Sequence, residues 1–395
     1  PTHHSTTAKS SAASDVYKRQ AVFDPKGDGQ SKFFANYGLY YLPVAANTNI
    51  RMSGNELFTA DFYDWDGFSV DANNEPTGLG PIYDAIIYGD GSVPDTRSTT
   101  DANIEAMYQS EFILGWQRYL DSGLEIGVKG IYRNLETTLE DVAIDAAVID
   151  YYNNGAGTWN PALVGGDTVE DVFGGFHQYV LTNPGNDMSV YIPEMDEQIS
   201  LTAAQLNYPE AKRQYGAVEF TFARPFDGTW ALAGSYTWSH SWGNHEGYVK
   251  SDNGQDDAGI TQNFDQPGLV DNSYGDLPND RRHTVKLYGT YQMENGVRFG
   301  SNFFYQSGRP LSCFGVHPTD VFAQAYEASS HFCQGEGVKR GSLGTTPDLM
   351  TVDLNAQYEM ELGGTDVLFS LDVFNIFNSQ NATVYNEDGD TGGGA

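Results

Sequence analysis

Histidine and carboxylate side chains near residue 240 are the first candidates for chemistry. His240, His245 and Glu246 follow one another closely in the sequence. Imidazole and carboxylate groups are common ligands of zinc and related metals, so these residues form a candidate metal site. The competing interpretation is the polar end of a strand, where the same side chains contact solvent and hold no ion.

Acidic residues form a second candidate site in the first part of the chain. Asp64, Asp66, Asp71 and Glu75 lie around Gly67, and oxygen ligands at such spacing can hold calcium. Their positions do not follow the pattern of an EF-hand loop. A solvated acidic loop is the alternative, and the sequence does not decide between the two.

Two adjacent arginines, Arg281 and Arg282, are a third candidate because guanidinium groups bind anions. The alternative is a structural role, in which they contact carboxylates of neighbouring loops. No catalytic signature accompanies any of these candidates. The chain lacks GxSxG, HExxH and GxxxxGK(S/T) motifs, and a GxGxxG placed between a strand and a helix. We therefore expect no enzymatic activity, no catalytic residue and no cofactor.

The charge balance and the hydropathy restrict the class of protein. Lys and Arg number 21 against 53 Asp and Glu, and the net charge of -32 disfavours a nucleic-acid partner. The mean hydropathy is -0.45, and no window approaches the roughly 18 apolar residues of a membrane-spanning helix. Transmembrane β-strands remain compatible with this composition, since only every second residue of about 9 to 11 must be apolar.

Alternation of apolar and polar residues is the dominant pattern from residue 104 onward. It is clearest over residues 348 to 362, and it continues far beyond the 5 to 6 residues typical of strands in soluble sheets. One face of this strand carries Met350, Val352, Leu354, Ala356, Tyr358, Met360 and Leu362. The other face carries Thr351, Asp353, Asn355, Gln357, Glu359 and Glu361. A period of two over this length predicts a membrane-spanning β-strand.

Tight turns and long polar loops alternate between the predicted strands. Glycine-containing turns are predicted at Asp121-Ser122-Gly123, Asp227-Gly228, Glu294-Asn295-Gly296 and Gly363-Gly364-Thr365. The long connections cover about residues 45–103, 143–207, 248–280 and 312–347. An earlier strand, Lys32 to Val44, follows a turn at Pro25 to Gly29 and a short strand stub at Ala21 to Asp24. Outer-membrane barrels have short periplasmic turns and long extracellular loops, which predicts the orientation.

Aromatic residues are placed as two girdles along these strands. Such girdles border the apolar band of outer-membrane barrels at about 25 Å separation. The girdle near the short turns comprises Trp116, Phe222, Trp230, Tyr291, Phe299, Tyr358 and Phe369, and the other comprises Tyr132, Trp238 and Tyr305. The predicted fold is therefore all-β, an antiparallel transmembrane β-barrel fragment of nine strands and one stub.

Four motifs carry a resemblance to a known family. Leu277-Pro278-Asn279-Asp280-Arg281-Arg282-His283 precedes an alternating strand, and Asp24 to Gly29 leads into Tyr40-Tyr41-Leu42-Pro43. The others are Ala45-Ala46-Asn47-Thr48-Asn49-Ile50-Arg51 and Asp372-Val373-Phe374-Asn375-Ile376-Phe377-Asn378. In this order they resemble the C-terminal barrel of TonB-dependent receptors, in the Oar-like branch that carries a carboxypeptidase-regulatory-like domain, a plug and a 22-stranded barrel.

Residues 1–20 are a polar, low-complexity stretch rich in Ser, Thr and Ala. This composition and the resemblance together imply a domain organisation and a function. We expect residues 1–20 to be a non-native or disordered leader, residues 21–385 to be part of the barrel, and residues 386–395 to be a truncated tail. The family implies active uptake of an unidentified extracellular ligand across the outer membrane of a Gram-negative bacterium. TonB, ExbB and ExbD would act through a plug and a TonB box that this sequence lacks. A passive porin-like channel and a secreted all-β adhesin or glycan-binding module are the alternatives.

Two further expectations concern particular side chains. Outer-membrane lipid should cover the apolar strand faces, which leaves Asp353, Asn355, Gln357, Glu359 and Glu361 as candidates that face the lumen. Cys313 and Cys333 lie in one predicted extracellular loop and pass through an oxidising periplasm, so we expect a disulfide between them. The alternative is two free thiols.

Overall fold

The computed structural model describes residues 16–45, 48, 57–93, 95–174, 179–255, 259 and 261–390. Strands predominate, and the longest described helix, Asp145–Asn153, has nine residues. Within these ranges no helix combines the length and the apolar character needed to cross a membrane.

Nineteen strands occur within the described residues. In chain order they are β1 (Val16–Phe23), β2 (Ser31–Tyr41), β3 (Leu57–Tyr63), β4 (Ile82–Asp90), β5 (Tyr108–Tyr119), β6 (Glu125–Thr137), β7 (Glu140–Ala143), β8 (Tyr179–Thr182), β9 (Met188–Ile192), β10 (Glu197–Leu201), β11 (Arg213–Arg224), β12 (Trp230–Gly243), β13 (Gly275–Asp276), β14 (His283–Gln292), β15 (Val297–Gln306), β16 (Phe332–Cys333), β17 (Glu336–Gly337), β18 (Leu349–Leu362) and β19 (Thr365–Val373).

The described helices are short and lie in the connections between the long strands. They are α1 (Thr96–Thr99), α2 (Asp145–Asn153), α3 (Val169–Phe173), α4 (Ala203–Leu206) and α5 (Val321–Gln324), with 3-10 turns at Pro161–Leu163, Pro193–Met195, Gln262–Phe264 and Pro267–Val270. Thr168 and Thr202 begin α3 and α4 with capping boxes, in which each threonine side chain accepts a hydrogen bond from a backbone N–H of the first turn.

One antiparallel sheet joins the ten long strands in the order β1-β2-β5-β6-β11-β12-β14-β15-β18-β19. This confirms the predicted architecture of nine strands and a shorter first one. Each predicted tight turn lies at the same end of the sheet, here called the turn end, and the long connections lie at the opposite loop end. Gly228 and Gly296 adopt φ of 99° and 88° in their turns, a backbone region that glycine enters without steric penalty.

Two predicted boundaries differ from the structure at the start of the sheet. β1 begins at Val16, so five residues assigned to the leader belong to the sheet, because Val16 to Gln20 pair with Tyr40 to Asn36 of β2. β2 ends at Tyr41 rather than Val44. For residues 16–20, backbone pairing therefore overrides a composition that predicts no regular structure.

Most of the large apolar residues in these strands lie on one face of the sheet, here called the apolar face. Cross-strand pairs connect Phe33 to Trp116, Phe220 to Tyr236, and Tyr305 to Met350, for example. Large side chains on this face are exposed, including Leu232 at 40%, Trp238 at 42% and Phe299 at 47%. A continuous exposed apolar surface over ten strands exceeds the few hundred Å² usual for soluble monomers, and it suits contact with lipid.

The buried core lies outside the sheet. The described residues within 138–212, 244–282, 307–348 and 386–390 form a folded unit at the loop end, which we call the loop cap. Its main apolar cluster includes Val148, Phe173, Ile192, Leu201 and Phe264, all fully buried. The sequence predicted long polar loops here, and the structure shows instead that the loops of different hairpins pack against one another.

Candidate functional site

A network of charged side chains crosses the second, polar face of the sheet. Strand alternation places Glu111 and Arg133 opposite each other on β5 and β6, and their side chains form an ion pair of 2.5 Å. The Tyr40 hydroxyl donates to Glu111 at 3.0 Å. Lys129 and Glu219 form a second pair at 2.9 Å on the same face. The polar face thus carries compensated charges, which suits an aqueous or protein-filled interior rather than lipid.

The predicted lumen-facing residues of β18 lie together on this polar face. Asn355 donates from its amide to Asp372 at 2.6 Å, and Asp353 accepts the backbone N–H of Asn375 at 2.8 Å. The sheet therefore gives these side chains polar partners on the face away from the apolar surface. Their exposure to a barrel lumen stays a prediction.

Pockets open on the polar face of the described sheet. The first, near the turn end, has a volume of about 460 Å³, and its polar lining includes Thr290, Asn302, Asp353, Asn355 and Asp372. Tyr288, Phe374 and several alanines complete its walls. A cavity with apolar walls and a few convergent polar groups is typical of a small-molecule site.

The second pocket lies at the loop end and is called the arginine pocket. Its volume is about 340 Å³, and it is lined by Gln109, Arg133, Arg213, Tyr215, Ser241, Glu246 and Asn279. Strands β5, β6, β11 and β12 supply five of these residues from one face, while the loop cap supplies the last two. The pocket is therefore at the junction between the sheet and the cap.

The guanidinium groups of the arginine pocket have different partners. Arg213 donates from Nη1 to the backbone carbonyl of Glu246 at 2.7 Å and from Nη2 to the Gln109 side-chain oxygen at 3.4 Å. Arg133 pairs with Glu111, and its guanidinium carbon lies 5.3 Å from the centroid of the Tyr215 ring. The pocket combines two guanidinium groups, an aromatic ring, neutral hydrogen-bonding groups and the acidic residue Glu246.

The candidate metal ligands near residue 240 do not converge. His240 contacts Asp276 at 2.8 Å, whereas His245 is fully buried against Glu140 at 2.6 Å. Glu246 accepts hydrogen bonds from the backbone N–H and the hydroxyl of Ser251 at 2.8 and 2.6 Å. β12 ends at Gly243, so the strand alternation that could have aligned these side chains stops between the two histidines. Because the three residues have separate partners, the structure gives no support to a metal site formed by them.

Carboxylates at the same rim form ion pairs with Arg282, one member of the predicted arginine pair. The ligand atoms of His240, Asp276 and Asp280 lie within 4.8 Å of one another. Arg282 forms ion pairs with both carboxylates, at 3.3 and 3.0 Å, and thereby supplies the positive charge that a cation would bring. Arg281 instead donates to the Ser307 carbonyl at 3.2 Å. The structure favours the structural role for both arginines.

The acidic loop before residue 80 forms turns with its own carboxylates. Asp66 accepts the backbone N–H groups of Phe68 and Ser69 at 3.0 and 2.8 Å. Asp71 accepts those of Asn73 and Glu75 at 2.8 and 3.0 Å. These are side-chain–backbone turns of the kind that aspartate forms without any ion. They favour a solvated acidic loop.

A disulfide joins Cys313 and Cys333 within the loop cap. Residues 386–390 pack beside it, since the Phe314 N–H donates to the Glu387 carbonyl at 2.8 Å. The Glu387 side chain forms an ion pair with Arg309 at 2.5 Å, and both side chains are buried. The segment predicted as a tail therefore contributes to the cap.

Buried ionisable groups concentrate in the loop cap. The Lys250 ammonium donates to the Ser329 carbonyl at 2.8 Å and lies 4.7 Å from the Phe314 ring centroid. Arg340 donates from Nε to Asp252 at 2.9 Å. Burial lowers the pKa of Lys250 to about 8, because desolvation disfavours the ammonium form.

A second buried pair in the cap is uncharged. Burial lowers the pKa of His245 to about 3, and burial raises the pKa of Glu140 well above its ordinary value. Both shifts favour the neutral forms, so the 2.6 Å contact is a hydrogen bond between an imidazole and a carboxylic acid. Thr261 also donates its backbone N–H to Glu140 at 2.8 Å. The pair fixes β7 to the segment after β12.

Sequence reasoning missed Arg213 and Gln109 as site residues. Alternation along β6 places Arg133 on the polar face, but nothing in a single strand indicates which side chains of the neighbouring strands lie beside it. The signal was available in β11, where Tyr215 and Arg213 continue the alternation of Glu219 and Thr221. Extending that alternation to the strand end would have identified Arg213.

The fold and the two faces define a class. Ten antiparallel strands with one exposed apolar face, one polar face and tight turns at a single end have the architecture of part of an outer-membrane β-barrel. The chain is 26% identical over 385 residues to the TonB-dependent transporter Oar of Myxococcus xanthus, which confirms the resemblance predicted from the four motifs. The match covers 91% of this chain and 31% of that transporter, so the chain spans about a third of its relative.

Solved structures of outer-membrane proteins are also similar. The transporter YddB from Escherichia coli has a TM-score of 0.48 at 10% identity, covering 93% of this chain and 38% of its own. The ferripyoverdine receptor FpvA of Pseudomonas aeruginosa, bound to a heterologous pyoverdine, has a TM-score of 0.44 at 12% identity, covering 94% and 30%. No family model matches the chain.

Proposed function

We propose that this chain is part of the barrel of an outer-membrane receptor that imports an extracellular ligand by TonB-dependent active transport. The observation that supports this most is the single apolar face that continues across ten antiparallel strands. The similarity to a TonB-dependent transporter over nine-tenths of the chain supports TonB-dependent active transport as the type of transport. The proposal assigns the chain no catalytic residue.

The orientation follows from the two ends of the sheet. The tight turns face the periplasm, and the loop cap faces the outside of a Gram-negative cell, as in barrels with short periplasmic turns. The Cys313–Cys333 disulfide is then formed during passage through the oxidising periplasm and is exposed outside the cell with the rest of the cap.

Each proposed partner contacts a different part of the receptor. Outer-membrane lipid covers the apolar face, and the ligand enters through the cap toward the polar face. TonB, ExbB and ExbD act on regions of the whole receptor outside this chain. Asp353, Asn355, Gln357, Glu359 and Glu361 line the path of the ligand or contact another part of the receptor.

Cysteine labelling tests the orientation in the full-length receptor. Ser122→Cys lies in a turn of the turn end, and Asn253→Cys lies in the loop cap. A membrane-impermeant thiol reagent applied to intact cells should label position 253 only, whereas lysed cells should label both. Labelling of position 122 from outside would overturn the orientation.

Depletion of the growth medium tests the transport. Mass spectrometry should identify a compound that wild-type cells remove and that cells lacking the receptor leave behind. Cells lacking TonB should leave the same compound behind, because active uptake requires energy from the inner membrane. Removal that persists without TonB but requires the receptor would indicate a passive channel.

A further inference from the structure

The hairpin of β3 and β4 is separate from the large sheet. It belongs to the connection between β2 and β5 at the loop end, and it forms a two-stranded sheet of its own. Within the described residues neither β3 nor β4 pairs with a third strand, so each strand keeps one edge open to further pairing. An open edge of this kind is where a strand of another chain can add to a sheet.

The hairpin also has no buried face. Ile86 and Ile87 are neighbours on β4 and therefore point to opposite sides, and they are 39% and 67% exposed. The rings of Phe62 on β3 and Tyr83 on β4 lie 6.3 Å apart, and both side chains are exposed. A two-stranded hairpin is marginally stable in water, and a third strand stabilises it. The exposed apolar side chains therefore favour a bound partner.

The charge of this region restricts the kind of partner. Residues 57–93 contain seven Asp and Glu and no Lys, Arg or His, whereas the whole chain has 21 Lys and Arg against 53 Asp and Glu. Asp61 and Asp84 are exposed on the two strands themselves. An acidic surface repels the same hairpin of a second copy and phosphate-bearing lipid headgroups, and it attracts a cationic polypeptide.

We propose that the β3–β4 hairpin is a docking surface for an extended, basic segment of another polypeptide, which adds to the hairpin as a third strand. Backbone hydrogen bonds join the segment to the open edge. Its Lys or Arg side chains contact the carboxylates of Asp61 and Asp84, and its apolar side chains cover the isoleucines of β4. The proposed orientation of the receptor places this partner outside the cell, but the contact does not depend on transport.

A basic peptide tests the docking surface in the full-length receptor purified in detergent. The probe is a fluorescein-labelled peptide of alternating lysine and valine, and fluorescence anisotropy measures its binding at low and high salt. A peptide of alternating glutamate and valine keeps the apolar residues and reverses the charge. A lysine-valine peptide with two central prolines keeps the positive charge and loses backbone donors. Only the first peptide should bind, and salt should weaken its binding.

Substitutions at exposed positions locate the binding. Asp61→Asn combined with Asp84→Asn should weaken binding of the lysine-valine peptide by about fivefold, the effect of two exposed charge pairs. Ile87→Ser should also weaken binding, because apolar contact is lost. Glu210→Gln combined with Glu336→Gln is the matched control, since it removes two exposed carboxylates from the loop cap. The control should leave binding unchanged.

Hydrogen exchange distinguishes the proposed partner from other ways of covering the hairpin. In the free receptor the amides of β3 and β4 should exchange fast, and the lysine-valine peptide should protect them. Protection in the free receptor would show that another part of the receptor or a second copy already covers the hairpin, which would overturn the proposal. Equal binding of the three peptides, or binding unaffected by the hairpin substitutions, would overturn it as well. None of these measurements involves TonB, so uptake without TonB in cells would instead overturn the proposed transport alone.

Discussion

The sheet and the loop cap differ in where their apolar side chains lie. In the sheet, large apolar residues such as Leu232, Trp238 and Phe299 stay exposed on one face of a single layer. In the cap, Phe264 and Ile192 are fully buried, and so are the charged groups of Lys250 and Arg340. One region leaves its apolar surface uncovered, while the other encloses both apolar and ionic groups.

Because of this difference, the two regions are stabilised by different interactions. A single-layer sheet has no core of its own, so its apolar face must be covered by lipid. The cap resembles a soluble domain, in which packing and the pairing of buried charges decide stability. The loss of stability caused by a substitution should therefore depend on the position relative to the membrane in the sheet, and on the burial of the side chain in the cap.

The largest expected effect is in the buried charges of the cap. Arg340→Met leaves Asp252 buried without its partner at 2.8 Å, and breaking a buried ion pair from one side costs about 3–5 kcal/mol. Hydrogen exchange of the full-length receptor should show faster exchange throughout the cap, while the amides of the long strands stay protected. The exposed pair of Lys212 and Glu210 is the control, and Lys212→Met should change stability by less than about 1 kcal/mol.

Equal protection of the cap in wild type and Arg340→Met would mean that these charges do not hold the cap together. Loss of protection in the long strands as well would remove the distinction between the two regions, because the cap and the sheet would then unfold as one unit.

The next effect distinguishes the two faces of the sheet. Leu354 lies near the middle of β18 on the apolar face, and arginine at a mid-membrane lipid position costs about 2–4 kcal/mol. Asn355 is its neighbour on the polar face, beside Asp372, where an arginine finds an opposite charge. Urea unfolding in lipid vesicles should show a lower free energy of unfolding for Leu354→Arg than for Asn355→Arg. Equal losses would contradict the assignment of the apolar face to lipid.

A smaller effect is expected from the disulfide of the cap. The two cysteines are 20 residues apart, and closing a loop of that size is worth up to about 3 kcal/mol in the chain-entropy model. Replacing Cys313 and Cys333 together by serine should increase protease cleavage within 307–348, with the long strands unaffected. Mass spectrometry of unreduced peptides should recover the two cysteines cross-linked in the wild type. Recovery of both as alkylated free thiols would defeat this prediction.

The sequence predicts the sheet much better than the cap, for a physical reason. Alternation along β18 depends only on the local geometry of a strand, so residues 348 to 362 indicate both the strand and its two faces. The turns at Gly228 and Gly296 are equally local. The cap is different because Glu140 and His245 meet across more than a hundred residues of chain, and no periodicity marks such a contact.

The candidate site shows the same limit. Arg133 and Tyr215 could each be placed on the polar face from their own strands, but the pocket exists because β6 and β11 are neighbours. The connection between those strands is the long segment that forms much of the cap, and its length gives no register. The sequence does not indicate that β6 and β11 are neighbours, and the arginine pocket depends on that pairing.

The smallest expected effect is the pH dependence of the cap through Lys250. The pKa of this ammonium is lowered by burial from 10.5 to about 8 in the folded protein. Between these values the unfolded chain holds a proton that the folded chain does not, so the free energy of unfolding rises with pH. The contribution of Lys250 to the free energy of unfolding is fully present above the unfolded-state pKa of 10.5. It decreases as the pH falls below that value and is lost as the pH falls through the folded-state pKa of about 8. Between pH 7 and 9 it amounts to about 1 kcal/mol.

Lys250→Met isolates this contribution, because methionine has a similar length and no titrating group. The free energy of cap opening, measured by hydrogen exchange at pH 7 and pH 9, should rise in the wild type by about 1 kcal/mol more than in the variant. Asp252 and Arg340 form an ion pair at 2.8 Å in the same cap, and both are present in the wild type and in the variant. A pH dependence of the cap that is identical with and without Lys250 would show that its ammonium is hydrated, and that the cap is less tightly enclosed than its burial indicates.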